Sequence, residues 1–336
     1  KNQKVLRGKN VTITVTAKGE APETLKLNLK EGNQQNYDLI TLRLDSGNVY
    51  KYEIPSLKTS LEFFASADWY NSQINTEIGK ISVIDKPIIR SISGRVIFPG
   101  YTGIAAVNIN EQSADISALT GSRAEFRIFS NKDIQKANII YEKMNMTNST
   151  SDSTINDISV IPLKVDRKIA SGEFRISSSG VYHIELIDYD NNKNEDPISY
   201  SIIAMNDAFP SINLIEPTYN VEVSKNALLP IKLTINDDYG FANLKLMWRL
   251  AESPYSAPNK DFKAINIAFD KNLLSNEISY IWDLNKLNIT PEDKYEFYLE
   301  IADNDIVSGP KTAKTQTLSV RLPSLDEIYE ENQMVQ

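Results

Sequence analysis

The chain has no cysteine among its 336 residues. Disulfides, thiolate catalysis and cysteine-ligated zinc are therefore excluded. The absence fits a bacterial envelope protein without disulfides, and it fits a cytosolic protein equally well. Histidine occurs once, as His183. No apolar run approaches the roughly 20 residues that cross a bilayer. Residue 1 is a lysine, with no signal-peptide pattern behind it, so the chain reads as a trimmed soluble part of something larger, without direct membrane insertion of its own. Basic charge is in deficit: 36 Lys and Arg stand against 44 Asp and Glu, for a net charge of −8. That balance repels phosphate backbones, and no basic stripe with interleaved aromatics is present, so nucleic acid is not an expected partner. Walker loops, dinucleotide fingerprints and HExxH helices are also missing.

Short runs rich in Val, Ile, Tyr, Phe and Thr fill the chain, and they repeat. "YEFYLEIADNDIVSGPK" near the C-terminus has a partner in "GVYHIELIDYDNNKNEDP" (Gly180–Pro197) and a weaker one in "LEFFASADWYNSQ" (Leu61–Gln73). Each is an alternating strand pattern ending at an aspartate: Asp68, Asp188 and Asp303, spaced 120 and 115 residues apart. A second landmark reads strand, polar turn, strand, and begins at Val11, Ala124 and Leu229. Two landmarks recurring in one order imply three copies of one unit. Its size suits an immunoglobulin-like or fibronectin-III-like sandwich of roughly 100 residues.

The predicted fold is all-β, with three tandem antiparallel β-sandwiches over 1–86, 87–209 and 210–323. Joints fall near "IDKP" (Ile84–Pro87) and "NDAFP" (Asn206–Pro210), where proline ends the last strand. Links this short suggest a semi-rigid rod. The middle copy carries a polar insertion near 142–157, read as a long loop. Residues 324–336 start a C-terminal helix. Ser324 and Glu327 form a capping box, and Leu325, Ile328 and Tyr329 share one face, with Val335 continuing it. The helix is expected to continue beyond Gln336.

"VIFPGYTGI" (Val96–Ile104), "DISALTGS" (Asp115–Ser122), "NDDYGFANLKLMWRL" (Asn236–Leu250), "ADNDIVSGPK" (Ala302–Lys311) and "LPSLDEIYEE" (Leu322–Glu331) occur in that order. Their order resembles a family of large bacterial membrane proteins, domain of unknown function 4175. The resemblance covers the second and third copies well and the first mainly by position. It implies an N-terminal membrane anchor, tandem sandwiches outside the cytoplasmic membrane in the periplasm, and a long helical C-terminal region. It carries no established activity and no catalytic residues.

Candidate sites are few. On the strand "VYHIEL", Tyr182, Ile184 and Leu186 are expected to face the core, leaving His183 and Glu185 outside. That position is wrong for a serine–histidine–aspartate relay. Asp237 and Asp238 are adjacent and diverge on an extended segment, so they do not read as a glycosidase pair. Turn chemistry with Gly240 explains them, and Asn304 and Gly309 read as turn positions with unusual backbone angles. A calcium reading is sharper. In such a sandwich the loops after the second and sixth strands share one end. Those loops and the joints gather Asp207, Asp237, Asp238, Asp303 and Asp305 at one place, and Asp85, Asp133, Asp188 and Asp190 at another. Carboxylates at a joint suit a hard cation, and Asp188-x-Asp190-x-Asn192-x-Asn194 has calcium-loop spacing. Aspartate and asparagine are also ordinary turn residues, which is the commoner explanation. No cofactor is otherwise expected. Trp69 and Tyr70 are the best candidates for a carbohydrate-binding surface, while Trp248 and Trp282 read as core.

The functional expectation is a non-catalytic scaffold or protein-interaction module, working with a protein partner in the cell envelope and with its own anchor and helical region. The alternative is a carbohydrate or cell-wall-polymer binding module, with calcium stiffening the joints.

Overall fold

A computed structural model of the chain describes residues 2–45, 47–70, 72–144, 157–271 and 273–327, and of Trp69 only the backbone. The strands sort into three consecutive sandwiches. Alternation decides which side chains enter each core. In Gly180–Asp188, Tyr182, Ile184 and Leu186 are fully buried, while His183 and Glu185 sit on the outer face.

Sandwich 1 is built from β1 (Gln3–Leu6), β2 (Val11–Thr16), β3 (Thr24–Glu31), β4 (Asp38–Arg43), β5 (Val49–Ile54), β6 (Leu61–Trp69), β7 (Ser72–Asn75) and β8 (Gly79–Ile84). One sheet runs β1-β8-β6-β3-β4, with β7 folded back on β6, and the other is the pair β2-β5.

Sandwich 2 contains β9 (Ile89–Ile97), β10 (Val107–Asn108), β11 (Ile116–Leu119), β12 (Arg123–Ser130), β13 (Ile134–Lys143), β14 (Asp157–Pro162), β15 (Lys164–Asp166), β16 (Ile169–Arg175), β17 (Gly180–Asp188) and β18 (Tyr200–Met205). Its sheets run β10-β9-β12-β16-β15 and β11-β18-β17-β13-β14.

Sandwich 3 contains β19 (Ser211–Glu216), β20 (Val221–Glu222), β21 (Leu228–Asn236), β22 (Phe241–Glu252), β23 (Lys263–Ile267), β24 (Ser275–Asp283), β25 (Lys294–Asp303), β26 (Thr312–Lys314) and β27 (Leu318–Arg321). Its sheets run β19-β21-β24 and β20-β27-β25-β22-β23, with β26 on β25.

The three units share one plan. A central antiparallel pair recurs as β3·β6, β13·β17 and β22·β25, and the facing sheet has a matching pair in β2·β5, β12·β16 and β21·β24. The pairing is antiparallel, as the alternation implied, apart from one parallel pair in each unit. β1 runs parallel to β8, β11 to β18 and β20 to β27. In sandwiches 2 and 3 the chain starts in one sheet, as β9 or β19, and then crosses to the opposite sheet. There it lies beside the last strand, which leaves the unit in the same direction. Each core sits between its two sheets, with aromatic clusters such as Phe126, Phe174 and Tyr182 in sandwich 2.

The segments Ile84–Pro87 and Asn206–Pro210 join the units with no strand between Asp85 and Ile88 or between Asn206 and Pro210. The capping box forms as read. The Ser324 amide donates to Glu327 Oε2 at 2.7 Å, and the Glu327 amide donates to Ser324 Oγ at 3.2 Å. Ile328, Tyr329 and Val335 lie outside the described residues, as does the insertion from 145 to 156. Among the described residues no helix is long and apolar enough to cross a membrane.

Candidate functional site

The inward parity of β17 and β25 carries through to their last residues, Asp188 and Asp303. These carboxylates are only 1% and 0% exposed. A buried charge needs a partner, and both joints supply a lysine from a loop of the same sandwich.

At the joint between sandwiches 2 and 3, Lys311 Nζ lies 2.7 Å from Asp303 Oδ2, 3.0 Å from Asp207 Oδ2 and 3.1 Å from Asp305 Oδ2. An ammonium has three protons, and here it meets three carboxylates. The lysine side chain is 15% exposed and its partners at most 4%. Asp207 belongs to the connecting segment, so the lysine ties it to sandwich 3. The aspartates also organise the loop. Asp303 Oδ1 accepts from the amides of Asp305 (3.2 Å) and Lys311 (2.9 Å), and Asp305 Oδ1 accepts from Val307 (2.7 Å) and Ser308 (3.1 Å). Asn304 departs from the sequence reading: it keeps an ordinary φ, whereas Gly309 has φ 94° and Gly240 φ 116°. Its side-chain amide instead donates to the carbonyls of Tyr239 (2.9 Å) and Tyr101 (3.3 Å), the second across the joint. Tyr101 meets Tyr239 edge-on at 6.2 Å.

Asp237 and Asp238 adjoin this group. Asp237 Oδ2 accepts from the amides of Tyr239 (3.0 Å) and Gly240 (2.7 Å), the turn chemistry its spacing implied. Burial raises the Asp237 carboxyl, with two bonded amides opposing and the charges of Asp207 and Asp303 adding. Burial likewise raises Asp207, against the pull of Lys311 and with Asp238 reinforcing it. For Asp305 burial pushes up, but the Ser308 and Val307 amides and Lys311 outweigh it, and the carboxyl lies below its ordinary range. Burial alone would lower Lys311; its three carboxylates reverse this and lock it protonated.

The joint between sandwiches 1 and 2 repeats the device with other atoms. Lys132 Nζ donates to Asp188 Oδ2 at 2.8 Å and to the Asp85 carbonyl at 2.9 Å. Asp188 Oδ1 accepts from the amides of Asp190 (2.9 Å) and Asn192 (2.8 Å). Burial raises this carboxyl, yet Lys132, Asn192 and the two amides hold it below its ordinary range. Asn131 grips the connecting segment, accepting from the Ile88 amide at 2.8 Å. Arg7 Nε binds Asp85 at 2.6 Å, Lys4 binds Asp190 at 2.5 Å and Lys86 binds Glu195 at 2.9 Å.

Of the nine aspartates gathered in the calcium reading, five stand at the joint between sandwiches 2 and 3 and four at the joint between sandwiches 1 and 2. Asp207, Asp303 and Asp305 converge on an ammonium. The run from Asp188 to Asn194 does not converge. Asp190 turns to Lys4, and Asn194 turns back to β17, accepting from the Leu186 amide at 2.7 Å and donating to the Ile184 carbonyl at 2.9 Å. Among the described residues no group of three or more His, Cys, Asp or Glu has the arrangement to hold a metal ion. The sequence reading missed Lys132 and Lys311, although each stands in the same loop as the aspartates, in "SNKD" and "SGPK".

The first copy differs. Asp68 is exposed and pairs with Lys26 at 3.3 Å. Trp69 ends β6, and its side chain lies outside the described residues; Tyr70 follows with φ 53° and 92% exposure. Trp282 is core, and Trp248 is half-buried against it. His183 and Asp188 lie on opposite faces of β17, so they form no relay.

Compared with family profiles and with curated proteins, the chain gives no match. Among solved structures it is similar to the fibronectin(III)-like modules of Clostridium thermocellum CbhA, with 12% identity over 63% of this chain and 90% of that one, at a TM-score of 0.25. It is similar to the IG1+IG2 pair of DIP-gamma, with 13% identity over 61% and 94%, at a TM-score of 0.30. A third is E. coli alpha-2-macroglobulin in its native conformation, with 14% identity over 96% of this chain and 23% of that one, at a TM-score of 0.19. The fold assignment itself rests on the strand pairing described above.

Proposed function

We propose that this chain is a non-catalytic scaffold, a row of sandwiches that holds protein partners at set positions in the bacterial cell envelope. In this reading it stands in the periplasm as part of a larger protein tethered to the cytoplasmic membrane, in line with the ordered motifs that resemble domain of unknown function 4175. The observation that carries the reading is the pair of lysine-pinned joints. Lys132 and Lys311 each bind one connecting segment and buried carboxylate of the following sandwich, Asp188 for Lys132 and Asp303 with Asp305 for Lys311. Buried charge spent at joints serves fixed geometry rather than turnover.

The test is in-cell crosslinking of the full-length tagged protein, with capture and mass spectrometry, against a version lacking residues 1–323. Envelope proteins lost from the deletion sample are the expected result. An unchanged capture list overturns the scaffold reading and leaves a passive spacer or a glycan binder.

A further inference from the structure

Each unit pairs an early strand in parallel with its last one: β1 with β8, β11 with β18 and β20 with β27. The geometry has a mechanical consequence. Tension on the chain pulls the early strand toward its N-terminal end and the last strand toward its C-terminal end. In a parallel pair these directions are opposite, so the load runs along the strands. The bonds between them lie across the load and must fail together. An antiparallel pair gripped at one end opens bond by bond instead. The bonds of a parallel ladder are also evenly spaced, which shares the load among them.

Other contacts lengthen these pairs. The register holds four residue pairs in β1·β8, four in β11·β18 and two in β20·β27. Each ladder gains one more backbone bond past its end. The Arg7 amide donates to the Ile84 carbonyl at 3.0 Å, Thr120 to Met205 at 2.8 Å and Val223 to Arg321 at 3.0 Å. In sandwiches 2 and 3 the residue just before the early strand reinforces the other end with its side chain. Asp115 Oδ1 accepts from the Ser201 amide at 2.7 Å and the Ser201 hydroxyl at 2.8 Å. Asn220 Oδ1 accepts from the Ser319 amide at 2.9 Å. The Thr120 hydroxyl adds a bond to Asn206 Oδ1 at 3.0 Å. Buried Tyr182 donates from its hydroxyl to the Ala114 carbonyl at 2.5 Å, which bolts the turn feeding β11 to the core strand β17. The joints leave little slack: β8 ends at Ile84 and β9 begins at Ile89, while β18 ends at Met205 and β19 begins at Ser211.

We infer that the chain is a load-bearing tether, in which the three parallel pairs are clamps that resist tension between its ends. Sandwich 3, with two register pairs, yields before sandwich 2, with four. A scaffold needs only fixed positions; the clamps add resistance to force. Lifetime under load is then set by the barrier to breaking a clamp, not by the equilibrium stability of the unit.

The chain has no cysteine, so Asn2→Cys and Leu325→Cys give it two unique handles for optical tweezers at constant load. Steps of about 3.3–3.6 Å per released residue assign each event to its unit. Sandwich 3 is expected to open before sandwich 2. Asp115→Ala removes the bonds to Ser201 and should shorten the loaded lifetime of sandwich 2 about tenfold, or about 1.4 kcal/mol. Ile128→Val trims the core of the same unit away from the clamp. It should lower the urea midpoint yet leave the loaded lifetime within about twofold. The clamps are overturned if both variants shorten the lifetime in proportion to their effect in urea, or if sandwich 2 opens before sandwich 3. Intact clamps with an unchanged envelope capture list would sink the scaffold and leave the tether standing.

Discussion

Lys311 shows how one side chain sets the electrostatics of a joint. A buried ion pair adds little net stability over an apolar substitute, but removing one partner strands the other charge. Lys311→Met leaves Asp207, Asp303 and Asp305 buried without their cation, and should cost roughly 3–5 kcal/mol at neutral pH. The pH dependence fixes the cause. In the wild type, Asp305 and Asp188 are held low, so their stabilisation is present above the unfolded value of about 3.9 and is lost as pH falls through the folded value. In the variant the orphaned carboxyls move up. Their cost is then greatest at neutral pH and shrinks as pH falls through the raised folded value toward about 3.9. The melting gap between the two proteins should narrow between pH 7 and about pH 4. A gap constant across that range would mean the lysine acts through packing alone. The residue types of this site were legible: all five aspartates stand in turn-like sequence. The lysine was not, because nothing local distinguishes a lysine that reaches buried carboxylates from one in water.

At the scale of elements, period-two alternation carried the prediction. It placed Tyr182, Ile184 and Leu186 inside and His183 outside, and the same count puts Asp188 and Asp303 at the inward end of their strands. Alternation says which face a residue takes but not which strand lies beside it. The parallel pairs β1·β8, β11·β18 and β20·β27 were therefore not readable. Close approach is a further element-scale constraint. A Cβ on Gly180 would lie 2.2 Å from the Glu142 carbonyl oxygen, where β17 meets β13. Gly180→Ala must part that end of the pair and should cost about 1–3 kcal/mol, read as a lower midpoint in urea. An unshifted midpoint would show that the strands separate there freely.

For the whole molecule, repetition gave the count of units and the two connecting segments, because each copy must bury its own apolar face. What happens between copies follows different physics. The spacing of acids suggested calcium, and the geometry puts a lysine ammonium among them. Melting should accordingly be the same in millimolar calcium and in chelator, to within about 1 °C, a shift worth only a few tenths of a kcal/mol. A calcium-dependent rise would show that a divalent ion displaces Lys311. By itself the sequence determined the strand periods, the number of copies, the turn residues and the helix cap, all set by neighbours a few positions away. Only the tertiary structure decided which charges meet at the joints and which early strand runs parallel to the last one of each unit. Those depend on residues as far apart as Tyr101 and Asn304, or Asp207 and Lys311, that share no local pattern and meet only once the sandwiches have formed.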